Sequence, residues 1–106
     1  MKKTAGIVTK YNNYCIFCGR PTEEEHHLLF GRGIRELAEE DGIKVPVCDG
    51  CHTQNPVAQK IHDNTSAEKL SKIAGQLAWE KHCVASGMTE DEARELFRKR
   101  YGRSYL

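Results

Sequence analysis

The sequence predicts a small α+β domain that is stabilised by zinc and continued by C-terminal helices. Three observations lead to this fold class. The chain has 106 residues and a mean hydropathy of −0.64, and a core this thin is commonly supplemented by a bound metal. Two Cys-x-x-Cys knuckles enclose a segment with two short β-like runs. Helical patterns then occupy most of the chain beyond residue 64.

The first knuckle follows a β-inclined stretch, residues 7–14. It reads Cys15-Ile16-Phe17-Cys18-Gly19, and the glycine after the second cysteine permits the sharp turn that a metal knuckle makes. Residues 24–30 then predict a strand, which Gly31-Arg32-Gly33 ends.

A helix is predicted over residues 34–41, with Gly42 as its C-terminal stop. Residues 43–47 form a second β-like run, and their proline favours an edge position in a sheet. The second knuckle, Cys48-Asp49-Gly50-Cys51, follows at once and is continued by His52.

The remainder of the chain is predicted to be helical. Pro56 suits the first turn of a short helix that reaches about His62. Thr65 with Glu68, and later Thr89 with Glu92, have the spacing of capping boxes for two longer helices, of which the first ends at Gly87. Each of these helices has one apolar face. The first face consists of Leu70, Ile73, Ala74, Leu77 and Val84, and the second of Ala93, Leu96, Phe97 and Tyr101.

The two knuckles together predict one structural zinc site with the ligands Cys15, Cys18, Cys48 and Cys51. Each knuckle offers two sulfurs to adjacent corners of a tetrahedron, and four thiolates leave no position open for a substrate. The fifth cysteine, Cys83, is predicted to stand apart. Two alternatives remain, a redox dithiol at one pair and a covalent haem at Cys48-Asp49-Gly50-Cys51-His52, but each leaves the other pair unused.

Four of the five histidines predict a second metal site beside this frame. His26 and His27 are neighbours on a predicted strand, so they point to opposite faces, and one can bind a metal while the other stays free as a base. His52 follows the second knuckle, and His62 ends the next short helix. Three imidazoles with open coordination positions form a Lewis-acid site. His82 is assigned no role.

Three motifs therefore follow one another: Cys15-x-x-Cys18, then Glu25-His26-His27-Leu28-Leu29-Phe30-Gly31, then Cys48-x-x-Cys51-His52. Together they resemble the HNH endonuclease family, which has the ββα-metal (His-Me finger) fold, and in particular its small zinc-stapled members from phages and prophages. On this resemblance residues 15–64 form the ββα-metal core of a single domain over residues 1–106, and residues 65–106 form a helical extension.

The resemblance implies a metal-dependent DNA endonuclease that hydrolyses phosphodiester bonds, by nicking or by double-strand cleavage. His27 matches the general base, His26 and His52 match metal ligands of the motif, and His62 is the candidate for a further ligand. Mg²⁺ or Mn²⁺ is the implied catalytic ion, and Zn²⁺ or Ni²⁺ also suits three imidazoles. The sequence departs from the family in lacking its middle asparagine, which orients the base. Three alternatives stay open: Asp41 replaces it, a backbone group replaces it, or the enzyme is weak.

DNA is the partner that the resemblance implies; a homodimer, or a phage packaging or recombination partner, stays open. The candidate DNA contacts are Arg32, Arg35, Arg98, Lys99 and Arg100. No apolar run approaches the roughly 20 residues of a membrane helix, and no apolar segment follows Met1-Lys2-Lys3-Thr4, so we expect a cytoplasmic protein of a bacterial or phage-infected cell. The alternative function is a non-catalytic, zinc-finger-like module that binds DNA or protein.

Overall fold

The computed structural model describes residues 4–106 and has two short strands and three α-helices, which confirms the α+β class. The elements are β1 (Glu25–His27), α1 (Ile34–Asp41), β2 (Lys44–Pro46), α2 (Thr65–Ala85) and α3 (Glu90–Tyr101). A π-helical turn at Gly50–Gln54 and a 3-10 turn at Val57–Gln59 connect β2 to α2. In the sequence, no apolar segment follows the N-terminal residues 1–4. Residues 1–3 of that segment lie outside the described residues. No helix within residues 4–106 combines the length and the apolarity that crossing a membrane requires.

The two strands pair antiparallel, with His26 opposite Val45 and His27 opposite Lys44. Each lies inside a predicted β segment, so both strands are confirmed, although each has only three residues. The β-inclined stretch 7–14 forms no strand apart from an isolated bridge that Tyr14 makes, and that prediction was wrong. The reason is local, because the side-chain amide of Asn12 donates to the backbone carbonyls of Gly6 and Thr9 and folds the stretch into a turn.

Local signals placed both ends of α1 and the start of α3 correctly. α1 spans the predicted residues, and Gly42 ends it in the left-handed conformation at φ 71°, where its N–H donates to carbonyls of the last turn. α3 begins with the predicted capping box, in which Thr89 and Glu92 each bond the other's backbone N–H. The short helix predicted from Pro56 to His62 shrinks to the three-residue turn at Val57–Gln59, which the proline precedes.

The start of α2 differs from the prediction. Asn64 is the N-cap, and its side chain accepts from the N–H of Ala67. Glu68 does not complete a capping box, because its carboxylate instead contacts the N–H of Asp63 and Nδ1 of His62. The capping box predicted for this helix was therefore wrong.

The buried face of α2 is also not the apolar one that the sequence predicted. Leu70 and Leu77 are 65% and 52% exposed, whereas Trp79 on another face is 8% exposed. Gly75 explains the choice, since a Cβ at this position would lie 2.8 Å from Cγ of Leu29. The helix approaches residues 28–29 most closely on the face that lacks a side chain, and that contact determines which side is buried.

Asp41, at the end of α1, joins the three helices. Its carboxylate accepts hydrogen bonds from Trp79 Nε1 at 2.9 Å, from the Tyr101 hydroxyl at 2.6 Å and from Arg100 Nε at 2.7 Å. Burial opposes ionisation of this carboxyl, but the three donors outweigh it and hold the pKa of Asp41 below its ordinary value. Among the alternatives for the family's missing asparagine, Asp41 is ruled out by these contacts, because its carboxylate is committed to the helix junction.

We expect Asp41→Asn to lower the free energy of unfolding by about 1–3 kcal/mol at pH 7, the range for hydrogen bonds to charged groups. Because the folded-state pKa is depressed, this stabilisation is present above the ordinary pKa of Asp and is lost as pH falls through the folded value. The difference between wild type and variant should therefore narrow on acidification. Urea denaturation across pH measures it, and Glu40→Gln, at the exposed second partner of Arg100, is the control. A difference that is constant with pH would contradict the ionic role of Asp41.

Candidate metal sites and the cleft beside them

The four knuckle cysteines form one cluster, called here the cysteine cluster. The sulfurs of Cys15, Cys18, Cys48 and Cys51 all lie within 4.8 Å of one another, and those of Cys18 and Cys48 are 3.5 Å apart. The group can hold a metal ion such as zinc. A redox dithiol or a covalent haem would use one pair alone, whereas the fold joins both pairs. Cys83 is buried elsewhere, against the helices.

Backbone turns shape the cluster. Gly19 adopts φ 76°, and its N–H donates to the carbonyl of Cys15, which closes the first knuckle. The N–H of Ile16 donates to the carbonyl of Pro46, so the first knuckle is attached to the end of β2, directly before Cys48. The hairpin between the knuckles thus brings the two pairs of thiols together.

The electrostatics of the cysteine cluster favour a bound cation. Burial opposes ionisation of Cys15, but backbone N–H groups that include that of Cys18 lower its pKa to about 6. Burial and the neighbouring thiols, in contrast, raise the pKa of Cys51 to about 12. The four sulfurs cannot all become thiolates at neutral pH without a positive charge among them, and a divalent metal supplies that charge.

His26, His52 and His62 form a second group, called here the histidine triad. One ring nitrogen of each lies within 4.8 Å of the others, and His26 Nδ1 is 3.1 Å from His52 Nε2. The three rings come from β1, the π-helical turn and the segment before α2. Backbone hydrogen bonds from Ile61 to Cys51 and from His62 to His52 close the ten-residue interval and bring His62 to the site.

The hydrogen bonds around His26 determine where its proton resides. Ser71 donates its single hydroxyl proton to the carbonyl of Leu28 at 2.8 Å. The same oxygen therefore accepts from His26 Nε2, also at 2.8 Å. His26 then presents an unprotonated Nδ1 to the triad. Burial, together with the neighbouring histidines, lowers the pKa of this 1%-exposed side chain to about 3, so it stays neutral.

The other two imidazoles have carboxylates on their outer sides. His62 Nδ1 lies 3.2 Å from an oxygen of Glu68, and His52 Nδ1 lies 3.6 Å from Glu24 Oε2. That Glu24 oxygen is buried and has no hydrogen-bond partner within residues 4–106. The Glu68 carboxylate accepts a hydrogen bond from Nδ1 of His62, so Nε2 of that neutral ring carries no proton. The 3.6 Å between His52 and Glu24 is too long for a hydrogen bond. Three ring nitrogens that lie close together, with outer hydrogen bonds on His26 and His62, are typical of a histidine-bound metal, and the residues therefore fit one.

His27 lines the same cleft but is not a member of the triad. The cleft has a volume of about 120 Å³ and is lined by Glu25, His26, His27, Phe30, Arg35, His52 and His62. His27 Nε2 lies 2.8 Å from Glu39 Oε1 on α1. Its other ring nitrogen, Nδ1, makes no hydrogen bond with residues 4–106.

Sequence reasoning missed two residues beside His27. Glu39 contacts His27 and also accepts hydrogen bonds from Lys44, whose side chain is fully buried. A signal for Lys44 was present, because a lysine in the apolar run of residues 43–47 faces the same side of the sheet as its cross-strand neighbour His27. A buried lysine requires a carboxylate partner, but only the fold shows that Glu39 and Glu25 supply it.

The five predicted DNA contacts are found in different settings. Arg35 lines the cleft, and Arg32 is exposed between two glycines of positive φ. Arg98 and Lys99 are exposed on α3. Arg100 makes ion pairs with Asp41 and Glu40 that attach α3 to α1, so a phosphate would compete with those carboxylates for it.

Comparisons with protein-family models, with curated proteins and with solved structures return no match for this chain.

Proposed function

We propose that this chain is a metal-dependent DNA endonuclease of the HNH type, with a structural zinc in the cysteine cluster. One observation carries the proposal. The histidine triad brings one ring nitrogen from each of three histidines together, while a fourth imidazole, His27, lines the same cleft without joining them. A site that only stabilised the fold would have no need of an open three-ligand set beside an additional histidine.

The histidine triad is the proposed holder of the catalytic cation, for which Mg²⁺ or Mn²⁺ is the expected ion. When bound, a divalent cation there supplies charge stabilisation to the phosphate that is attacked. His27 Nδ1 takes a proton from the attacking water, which is general-base catalysis. Arg35, at the rim of the cleft, pairs with a phosphate oxygen and holds the scissile strand.

The proposed roles separate the two metals by their coordination. Four thiolates complete a tetrahedron, so the cysteine cluster holds its ion without a position for substrate. We propose the ββα-metal fold because of where the histidines lie. His26 and His27 are on β1, which pairs with β2, and His52 and His62 are on the segment that follows β2. DNA is the proposed substrate because Arg32 and Arg35 add positive charge near the cleft.

A second candidate function is a non-catalytic, zinc-finger-like binding module. An apolar groove favours it, since Ile16, Phe17 and Leu70 are exposed beside the first knuckle and line a depression of about 340 Å³. Exposed apolar surface of this kind is typical of protein-binding sites. This candidate assigns no task to His27.

Supercoiled plasmid distinguishes the two candidates. We expect the zinc-loaded protein to nick it only when Mg²⁺ or Mn²⁺ is added, because the triad must be filled. His62→Ala should raise the metal concentration for half-maximal nicking by at least about tenfold, as loss of a ligand or of its support does. His82→Ala is the matched control, since it removes an exposed histidine of α2. Protein that binds DNA but leaves every plasmid supercoiled would favour the binding module.

A further inference from the structure

Glu39 contacts His27 and takes no part in the chemistry proposed above. It stands on α1, twelve residues from His27 in sequence, and its Oε1 accepts from His27 Nε2 at 2.8 Å. Its other oxygen, Oε2, accepts from Lys44 Nζ at 2.9 Å and from the N–H of Thr4 at 3.0 Å. The carboxylate thus has donors on both oxygens and is held in one orientation.

We propose that Glu39 is the positioning residue for His27, holding the ring with its proton on Nε2 so that Nδ1 faces the cleft unprotonated. This inference rests on the proposed function, because it assigns the base of that reaction its tautomer. A carboxylate has no proton to donate, so a neutral imidazole beside it must place its own N–H towards it. Glu39 then orients His27, which is the role that the resemblance assigns to the missing asparagine.

Lys44 gives the carboxylate its fixed charge. Its ammonium is completely buried and is paired with Glu39 and Glu25, so removing one partner leaves it with a single carboxylate. Partial burial of Glu39 opposes ionisation, but the hydrogen bonds from His27, Lys44 and Thr4 outweigh it and lower the pKa of Glu39 to about 2. The side chain is therefore a carboxylate at neutral pH and accepts hydrogen bonds without donating any.

Glutamine at position 39 provides a sharp test, because it has nearly the same shape but only one acceptor oxygen. Lys44 Nζ donates to both oxygen positions, at 3.1 Å and 2.9 Å, so it does not choose between them. The Oε2 position also faces the N–H of Thr4, a donor that cannot become an acceptor, whereas the Oε1 position faces His27, whose ring can change tautomer. The amide oxygen should therefore occupy the Oε2 position, and the amide NH₂ should face His27. A ring that faces a donor must accept through Nε2, which moves its proton to Nδ1.

The experiment measures the tautomer of His27 by ¹⁵N–¹H correlation of its ring, assigned by comparison with His27→Ala, in zinc-loaded protein. We expect the Nε2–H form in wild type, the Nδ1–H form in Glu39→Gln and a mixture in Glu39→Ala. Glu36→Gln, at an exposed position on the same helix, should leave the spectrum of His27 unchanged. An Nε2–H ring in Glu39→Gln would overturn the inference.

Nicking kinetics provide a second readout. Glu39→Gln should lower kcat by about 10²-fold or more with little change in KM, since it removes the general base from the cleft. Glu39→Ala should be less impaired, because its imidazole can still populate the active tautomer. A purely structural role predicts the reverse order, with the isosteric glutamine milder than alanine, and that order would overturn the inference.

The two proposals can fail separately. If the wild-type protein cuts no DNA but Glu39→Gln still inverts the His27 tautomer, the nuclease proposal fails and the positioning of His27 by Glu39 stands. If the wild-type protein nicks and the tautomer is the same in every variant, Glu39 is not the positioning residue. Thermal melting of each variant confirms that the folded protein is being compared.

Discussion

Cys18→Ser is expected to unfold the chain or to lower its melting temperature severely, although Cys18 is an exposed residue. Substitutions at exposed positions ordinarily change stability little, so the surroundings of Cys18 alone predict an almost silent variant. The cysteine cluster predicts otherwise. A structural zinc contributes apparent binding energy of roughly 10–16 kcal/mol, which is as large as the whole net stability of about 5–15 kcal/mol of a typical domain.

Cys83→Ala is the matched control, because Cys83 is buried but lies outside the cluster. If burial alone determined stability, Cys83→Ala would have the lower melting temperature. If Cys18 is a metal ligand, Cys18→Ser would have the lower one, so the order of the two melting temperatures distinguishes the two explanations. Elemental analysis should find about one zinc per chain in wild type and in Cys83→Ala, and much less in Cys18→Ser. A Cys18→Ser protein that melts like wild type would show that the four thiols bind no structural metal.

His27→Ala is expected to lower the rate of plasmid nicking by about 10²–10⁴-fold, the usual contribution of a general base. The histidine triad does not include His27, so its affinity for the catalytic cation should be nearly unchanged. Single-turnover nicking at saturating Mn²⁺ measures the rate, and calorimetric titration of the zinc-loaded protein measures the affinity. A lower nicking rate with unchanged affinity for the cation would show that His27 acts as a base and not as a metal ligand.

Added imidazole should restore part of the activity of His27→Ala, because the substitution leaves space beside Glu39 for a free ring. His82→Ala should behave as wild type in both assays. If His27→Ala nicks at the wild-type rate, His27 is not the base; if it loses metal affinity together with activity, His27 acts as a ligand instead.

The sequence by itself determined the features that depend on near neighbours along the chain. The Cys-x-x-Cys spacing identified the members of the cysteine cluster. Because His26 and His27 are adjacent on a strand, the sequence also predicted that only one of them binds the metal. The glycine stop of α1 and the capping box of α3 are likewise local, because a helix end is satisfied by groups within a few residues of it. These predictions did not depend on how the helices and strands pack against one another.

Only the tertiary structure decided the partners that lie far apart in sequence. Backbone pairing of residues 51–52 with residues 61–62 brings His62 to the triad, and the position of α1 against the hairpin brings Glu39 to His27. The buried face of α2 follows from the close approach at Gly75 rather than from its leucines. Hydrophobic periodicity reports how apolar each face is, but which face is buried depends on how closely the neighbouring elements can pack.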